Sequence, residues 1–577
     1  MNYREKPFYL NDEDIKWVED TFNSLSLDDK INQVLIDMLW KENPKKLAKT
    51  IQGRCLGGYR YNNQSKEKLL EQNATIQKNS KVPALIAANV EGGGNGATRG
   101  GTKIGDGIAI AATQNPENAY YLGYYGCKEA KAVGCNWTFA PVVDVDFNWR
   151  NCVIPTRCFG NDPDTVLKMS LEYMRGAHEV GVACCMKHFP GDGLDERDQH
   201  LVTTVNTQTC EEWDNSFGKI YKGMIDAGVP SVMIGHITQP AYTRKFNPTI
   251  KDEEIMPATV SKELLQDLLR GQLGFNGLIV TDATHMVGIT SWEKRRDFLP
   301  KMLMSGCDMI LYFRDYDEDF QYLKDALENG KLTMDRLNEA VKTVLAFKAY
   351  LKLHKKKEDG TLIPKVEDLS IVGCKEHKEK AKEIIDQSIT LVKNSKHQIP
   401  LDPKVHKRVI IYPIYKKSFI SKFIGDKSNI AKDLKDALEA QGFEAEIFKL
   451  NILKLLKPKN GKRMLQGMSI GEFNSTYDAA ILIANVASFS TTNERALHWK
   501  IPMGPEIPWY VTEVPTIGIS TAHPFHLIDV PMISAYINTY NASKEAIYQT
   551  VNKIVGKSEF KGVSPVDAFC GREDTKY

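Results

Sequence analysis

The chain has 577 residues, too many for a single ordinary hydrophobic core, so we expect at least two domains. Its 75 basic and 73 acidic residues nearly cancel, which argues against nucleic acid or a charged membrane surface as a partner. The first twenty residues are charged where a signal peptide needs an apolar run, and no apolar run approaches about 18 residues, so we expect a cytoplasmic protein.

Short apolar runs alternate with amphipathic stretches between about residues 50 and 395, a pattern typical of β-α units around a parallel sheet. The predicted strands are 55–61, 83–89, 138–145, 181–189, 230–236, 277–282 and 307–312. So many units favour a TIM-like (β/α)8 barrel over an open sheet, and we assign it to residues 1–352. Four of these strands end in polar residues, Asn89, His188, His236 and Asp282. Active sites of barrels form at these carboxyl ends.

A charged segment containing Gly and Pro, KLHKKKEDGTLIPKVED, marks the exit from the barrel. We predict a linker with a connecting helix over residues 353–395. Farther along, RVIIYPIY, AAILIANV, VPTIGIS and VPMISAYIN have the character of strands separated by helical segments. The fold class is therefore α/β, with a smaller C-terminal α/β sandwich domain over residues 396–577.

One loop, KHFPGDGLDERDQH, concentrates titratable groups around a Gly-Asp-Gly sequence centred on Asp192. The flanking glycines allow backbone conformations closed to other residues, as in a mobile catalytic loop, whereas a solvated polar connection is the alternative. Asp198 and His200 favour the catalytic interpretation, because in an extended segment both side chains project to the same side. The carboxylate can then orient the imidazole as a general acid/base near neutral pH.

Asp282 directly follows the apolar run of GLIVTD. An Asp in this place often caps a following helix, and that is the alternative interpretation. Combined with a general acid/base at another strand end, Asp282 becomes a candidate carboxylate nucleophile.

Five segments together resemble glycoside hydrolase family 3. They are FAPVVDVD, RCFGNDPD, KHFPGDG followed by Asp-x-His, PATVSKELLQDLLRGQLGFNGLIVTD and SEFKGVSPVDAFCG. More narrowly, they are similar to the two-domain form of its β-N-acetylglucosaminidase (β-N-acetylhexosaminidase) branch, over about residues 10–575. The Asp-x-His element is the most specific part, since the β-glucosidases of the family use a glutamate from the second domain instead.

The resemblance implies three catalytic residues. Asp282 would be the nucleophile that forms a covalent glycosyl-enzyme with retention of configuration. His200 would protonate the leaving oxygen and then activate the acceptor, while Asp198 holds and tunes it.

The resemblance also implies a set of sugar-binding residues. Lys187 and His188 match a sugar-binding pair, Arg157 matches an arginine on the sugar hydroxyls, and His236 matches a strand-end histidine lining the site. A buried hydrogen-bonding or packing role is the alternative for these four residues.

The chain departs from the branch in the segment NVEGG, where Asn89 replaces the Asp expected to bind hydroxyls at the far side of the sugar. Asn can donate and accept hydrogen bonds, but the negative charge is gone. The arginine usual after EGG is displaced to Arg99, and Asp192 replaces a frequent His, which we interpret as a tolerated change. The sugar is therefore open, including a C4 epimer or a sugar modified at its far end.

These features predict a retaining exo-β-N-acetylglucosaminidase that hydrolyses small glycosides. One alternative is a β-N-acetylglucosaminide phosphorylase or a related β-glycosidase with another sugar preference, and the other is a sugar-binding protein without turnover. The 11 cysteines are scattered except for Cys184 and Cys185, and the histidines do not recur at ligand spacing. We therefore predict no disulfide framework, no metal site and no cofactor.

Overall fold

A computed structural model of the chain describes residues 2–415, 429–450, 468–487, 493, 495–501 and 503–577. These residues form two compact units. The first comprises Met1–Gly107 and Pro116–Glu379, and the second comprises Ile108–Asn115 and Lys380–Tyr577. The segment 353–395, which the sequence suggests to be a linker, is divided between the two units.

The strands β1 to β16 are, in chain order, Leu35–Leu39, Gly58–Tyr61, Leu85–Ala88, Trp137–Thr138, Ala183–Phe189, Thr204–Val205, Ser231–Ile234, Ile237–Thr238, Leu278–Ala283, Met309–Leu311, Thr390–Asn394, Arg408–Tyr415, Glu444–Ile447, Ala479–Asn485, Thr516–Ser520 and Ala535–Asn538. Eight of them close a parallel barrel in the order β1-β10-β9-β7-β5-β4-β3-β2, which confirms the predicted TIM-like fold. Strands β6 and β8 form a separate two-stranded ladder.

The α-helices of the described residues, α1 to α19 in chain order, are Asp12–Ser24, Leu27–Gln33, Pro44–Gln52, Lys66–Asn79, Gly107–Ala112, Pro116–Ala132, Pro163–Glu179, Cys210–Trp213, Lys219–Asp226, Pro240–Phe246, Val287–Thr290, Arg295–Ser305, Tyr316–Glu328, Met334–Tyr350, Leu353–Glu358, Lys375–Ser388, Ile430–Glu439, Ile470–Thr476 and Lys544–Ile554. Within the residues the structure describes, no helix combines the length and apolarity needed to cross a membrane.

The side chains of the barrel strands are mostly buried, and polar residues stand at the carboxyl ends of these strands. Every residue of β3, β5 and β7 is buried. The segment after β4 runs beside β5, since the Lys187 N–H donates to Pro141 O at 3.2 Å and the Val143 N–H donates to Lys187 O at 2.8 Å. This pairing places the polar residues that follow both strands on the same side of the barrel.

The second unit contains a six-stranded sheet in the order β11-β16-β15-β14-β12-β13. Strand β11 is antiparallel to β16, and the other pairs are parallel. Isoleucine, leucine, valine and alanine side chains form its core between the sheet and the helices, as expected for the predicted α/β sandwich. The structure adds β11, which the sequence pattern places in a connecting helix, and β13, which the pattern misses.

Candidate active site

Asp282 lies at the carboxyl end of β9, where its Oδ1 accepts a hydrogen bond from the Ala283 N–H at 2.7 Å. The next helix begins at Val287 with Met286 as its N-cap residue, so Asp282 does not cap it. Burial by itself raises the pKa of Asp282, but the neighbouring histidines, led by His188, bring that pKa below its ordinary value. The carboxylate is therefore ionised at neutral pH.

His200 interacts electrostatically with Asp282 and is paired with Asp198, which is 1% exposed. The Asp198 Oδ1 accepts from His200 Nδ1 at 2.6 Å and from the His200 N–H at 2.8 Å. Burial opposes the imidazolium, yet the hydrogen bond to Asp198 and the charge of Asp282 raise the pKa of His200 above its ordinary value. With Nδ1 engaged by Asp198, Nε2 is the nitrogen that can exchange a proton with a ligand.

The loop that carries His200 is held by Gln199. The Gln199 Nε2 donates to Asp192 Oδ2 at 3.0 Å, and its Oε1 accepts from the His236 N–H at 3.1 Å. The Val287 N–H donates to His200 O at 3.0 Å, which joins this loop to the segment that follows β9. The acid/base candidate and the nucleophile candidate are thus hydrogen-bonded into one local unit.

Asp192, expected to be a tolerated change, is 2% exposed and connects this loop to the segment that follows β4. Its Oδ1 accepts from Asn151 Nδ2 at 3.0 Å, and its backbone N–H donates to Asp144 Oδ1 at 2.9 Å. Burial, together with the charge of Asp144, raises the pKa of Asp192 to about 7. At this position the loop is a buried polar network, so a solvated connection does not describe it.

Arg157 and Lys187 converge on one carboxylate, that of Glu91. Arg157 makes two bonds to it, Nε to Oε2 at 2.8 Å and Nη2 to Oε1 at 2.9 Å. The Lys187 Nζ lies 2.6 Å from Oε1. Although burial opposes ionisation, the two cations hold the pKa of Glu91 well below its ordinary value. The group is a preformed array of charge-assisted hydrogen bonds that fixes both cationic side chains.

His188 and His236 are both buried, at 4% and 0% exposure. The His188 Nδ1 lies 2.7 Å from Asp144 Oδ2, and its N–H donates to Asp144 Oδ1 at 3.1 Å. The His236 Nε2 lies 3.1 Å from Ala283 O and its Nδ1 lies 3.0 Å from Thr259 Oγ1. Both ring nitrogens of His236 therefore contact protein atoms. One of these contacts is to Ala283, the last residue of the strand that carries the nucleophile candidate.

Asn89 follows β3 and is half-buried. Its side-chain amide has no hydrogen-bond partner in the part of the chain that the structure describes, so both its donor and its acceptor are available to a ligand. Arg99, considered as a substitute for the displaced arginine, is exposed, and its N–H donates to Gln64 O at 2.8 Å.

Sequence reasoning missed Glu91 and Asp144 as site residues, although Asp144 stands in FAPVVDVD and Glu91 stands in NVEGG. Their partners are separated from them by 66 and 44 positions, respectively. In each segment the available signal is an acidic residue with no partner close to it in the sequence. That signal does not identify the residue with which the acid pairs. Within the described residues no group of three or more His, Cys, Asp and Glu is arranged to hold a metal ion.

Comparison with known proteins finds similar sequences over the barrel unit and over the whole chain. Residues 26–347 match the glycosyl hydrolase family 3 N-terminal domain. A Cellulomonas fimi protein named β-N-acetylglucosaminidase/β-glucosidase is 38% identical over 572 residues, covering 99% of this chain and 98% of that protein. A β-hexosaminidase of Nitrosomonas eutropha is 31% identical over 263 residues, covering 44% of this chain and 72% of its own.

Solved structures are similar over the whole chain. A β-glucoside phosphorylase is 38% identical, with a TM-score of 0.91 and coverage of 100% of both chains. A family 3 β-N-acetylglucosaminidase from Paenibacillus sp. str. FPU-7 has a TM-score of 0.76 at 23% identity, covering 94% of this chain and 99% of that one, which indicates the shared fold alone.

Proposed function

The chain belongs to glycosyl hydrolase family 3, and we propose that it releases terminal β-linked N-acetylglucosamine or glucose from small glycosides with retention of configuration. One observation carries this proposal. An ionised carboxylate, Asp282, and a carboxylate-paired histidine, His200, are held together at the carboxyl edge of the barrel. A nucleophile and a proton donor side by side are the two groups that a double displacement needs.

In the first step, the Asp282 carboxylate attacks the anomeric carbon while the bond to the leaving oxygen breaks. His200 transfers its Nε2 proton to that oxygen, so an alcohol leaves and a glycosyl ester of Asp282 forms. The raised pKa of His200 supports this role because it favours the protonated imidazole that donates in this step. Asp198 stabilises the imidazolium before transfer and keeps the ring oriented afterwards.

In the second step, water attacks the anomeric carbon of the ester. The neutral His200 accepts the proton of that water, and the ester bond breaks to return the Asp282 carboxylate. The sugar leaves as a free hemiacetal with the β configuration, because two inversions at one carbon give net retention.

We assign sugar binding to the residues around Glu91. Lys187 and Arg157 would donate to sugar hydroxyls from fixed positions, because Glu91 holds both cations. Asn89 would contact the far side of the sugar with an amide that can donate to one hydroxyl and accept from another. The Cellulomonas fimi relative, whose name covers both N-acetylglucosaminides and glucosides, supports testing both sugars.

The test is cleavage of nitrophenyl β-N-acetylglucosaminide and β-glucoside in a phosphate-free buffer, with the product configuration followed by NMR from the first turnover. Formation of the β-anomer before mutarotation supports retention. Immediate formation of the α-anomer would contradict the role of Asp282 as nucleophile.

A second candidate reaction is phosphorolysis, in which phosphate replaces water in the second step. The acid/base is a histidine that is neutral after the first step, so it places no new negative charge beside an incoming anion. A carboxylate at about 4 Å would cost an incoming unit charge about 1 to 4 kcal/mol, depending on the dielectric. The likeness to a β-glucoside phosphorylase over the full chain supports this candidate.

Product analysis in phosphate buffer separates the two reactions. A sugar 1-phosphate together with a turnover rate that increases with phosphate concentration would establish phosphorolysis. Free sugar alone, at a rate independent of phosphate, would leave hydrolysis.

A further inference from the structure

A buried carboxylate outside the catalytic group, that of Glu129 on α6, binds two separate segments of the barrel unit. Glu129 is 0% exposed. Its Oε2 accepts from the Thr102 N–H at 2.8 Å, and its Oε1 accepts from Thr102 Oγ1 at 2.7 Å. The same Oε1 accepts from the Gly373 N–H at 3.1 Å and from His377 Nδ1 at 2.6 Å. Four donors therefore satisfy one buried anion.

The segment that Glu129 holds from one side is the glycine-rich loop 91–103. An added Cβ at Gly94 would lie 2.0 Å from Glu129 Oε2, so the loop backbone rests directly on the carboxylate. On the other side of the loop, an added Cβ at Gly96 would lie 1.8 Å from Asn89 O. The loop is thus packed between Glu129 and Asn89, the residue that follows β3, with no room for a side chain at either contact.

Backbone hydrogen bonds connect this contact to Glu91. The Ile104 N–H donates to Gly92 O at 2.9 Å, and the Gly105 N–H donates to the same oxygen at 3.2 Å. Gly92 is the neighbour of Glu91, whose carboxylate holds Arg157. A displacement of Thr102 would therefore be transmitted through Lys103, Ile104 and Gly92 to the carboxylate that orders the cationic side chains.

We propose that Glu129 is a positioning residue for sugar binding, which it serves by setting the loop that carries Glu91 and covers Asn89. This inference rests on the proposed function, because it assigns the loop to the sugar. Glu129 itself touches no sugar in this arrangement. Its effect is exerted through Thr102 on one side, while Gly373 and His377 fix the carboxylate on the other.

The substitution Glu129→Gln tests the charge with little change in shape. A glutamine can keep its oxygen toward Gly373 and His377, but its Nε2 then faces the Thr102 N–H, so two donors oppose each other. We expect KM for a nitrophenyl β-glycoside to rise about tenfold, the effect of one lost charge-assisted hydrogen bond. We expect the pH dependence of kcat/KM to keep its shape, because Asp198 and His200 are untouched.

A second variant and a matched control separate positioning from stability. Thr102→Val removes the hydroxyl donor but keeps the N–H, and should raise KM about threefold. Asp308→Asn alters another buried carboxylate, which accepts from Arg270 and Arg336 before β10 starts. This control should lower the melting temperature while leaving KM unchanged. Unchanged KM in Thr102→Val and in any folded Glu129→Gln protein would overturn the proposal.

Hydrogen exchange distinguishes failure of this inference from failure of the proposed function. Backbone amides of residues 92–104 should exchange faster in Glu129→Gln than in the wild type, and no faster in Asp308→Asn. Thr102→Val should show a smaller increase in the exchange rate of the same amides, and it provides the test if Glu129→Gln does not fold. Unchanged hydrogen-exchange protection in Glu129→Gln and Thr102→Val would refute the positioning role of Glu129, even if the protein cleaves glycosides. Faster exchange in these variants, combined with a wild-type protein that cleaves no glycoside, would support the positioning of the loop by Glu129 and reject the proposed function.

Discussion

Asp198→Asn should weaken the acid role of His200 without removing the histidine. The Asp198 Oδ1 accepts from two donors of His200, its ring Nδ1 at 2.6 Å and its backbone N–H at 2.8 Å. An asparagine oxygen can accept both bonds, so the ring orientation is retained while the negative charge is lost. A hydrogen bond to a charged group contributes about 1.5 to 3 kcal/mol, against about 1 kcal/mol for a neutral one. The imidazolium therefore loses about 0.5 to 2 kcal/mol, equivalent to about 2- to 30-fold in rate.

The direction of the pH effect follows from the raised pKa of His200. The first step needs protonated His200, so kcat/KM falls as the pH rises through that pKa. Without the Asp198 charge the proton is lost at lower pH, and the alkaline limb of the profile moves to lower pH. The loss should be large for an alkyl β-glycoside, whose leaving oxygen needs the proton, and within about threefold for a nitrophenyl β-glycoside.

The assay is kcat/KM against pH for both substrates, with Glu196→Gln as the matched control. Glu196 lies two positions from Asp198 on the same loop and is exposed, so its substitution removes an equal charge without touching His200. An alkaline limb that does not move, or an equal loss for both substrates, would refute the acid assignment. A similar shift of the alkaline limb in Glu196→Gln would mean that the loss of any negative charge on this loop has the same effect, and not the loss of the Asp198 contact in particular.

Three further predictions test the nucleophile, the sugar-binding array and a buried lysine. Asp282→Ala should lower turnover by more than about 1000-fold while a competing monosaccharide still protects the protein against thermal unfolding; residual turnover near the wild-type rate would exclude Asp282 as nucleophile. Glu91→Gln should raise KM about tenfold or more because it releases Arg157 and Lys187, whereas a change confined to kcat would contradict that role. Lys348 is 0% exposed, and burial lowers its pKa to about 7, so the unfolded chain binds more protons and the stability of the barrel unit should rise between about pH 7 and 10. Lys348→Met should flatten that rise in urea unfolding and add on the order of 3 kcal/mol at pH 7; an unchanged slope would refute the burial argument.

The predicted barrel strands differ from those of the structure where a local feature interrupts the backbone ladder. The pattern misses β1, Leu35–Leu39, because Asp37 breaks its apolar run. The run 138–145 gives only the short strand Trp137–Thr138, because Pro141 has no N–H to donate; beyond it, Val142 still pairs with Lys187 of β5 as an isolated bridge. Strand β11 resembles the end of the preceding helix until antiparallel pairing with β16 makes it an edge of the second sheet.

The Asp198–His200 pair is predictable from the sequence because two positions on one short segment determine it. The segment forms a turn, in which the Val202 N–H donates to Asp198 O at 3.0 Å, and not the expected extended conformation. The partners of Glu91 and the hydrogen-bond network of Asp192 are not, since they come from other loops of the barrel. His236 illustrates the same limit. Its position at a strand end is visible in the sequence, but the occupation of both ring nitrogens by Thr259 and Ala283 is not.

The sequence by itself determined the alternation of strands and helices, the polar residues at the strand ends and the local acid-histidine pair, because each depends on spacing within a few residues. Tertiary packing decided which carboxylate meets which hydrogen-bond donor. Glu129 and His377, for example, are 248 positions apart and 2.6 Å from each other. Such pairs form only where the barrel excludes water and brings distant loops together, and that environment also moves the pKa values of Asp282 and His200 in the directions that catalysis needs.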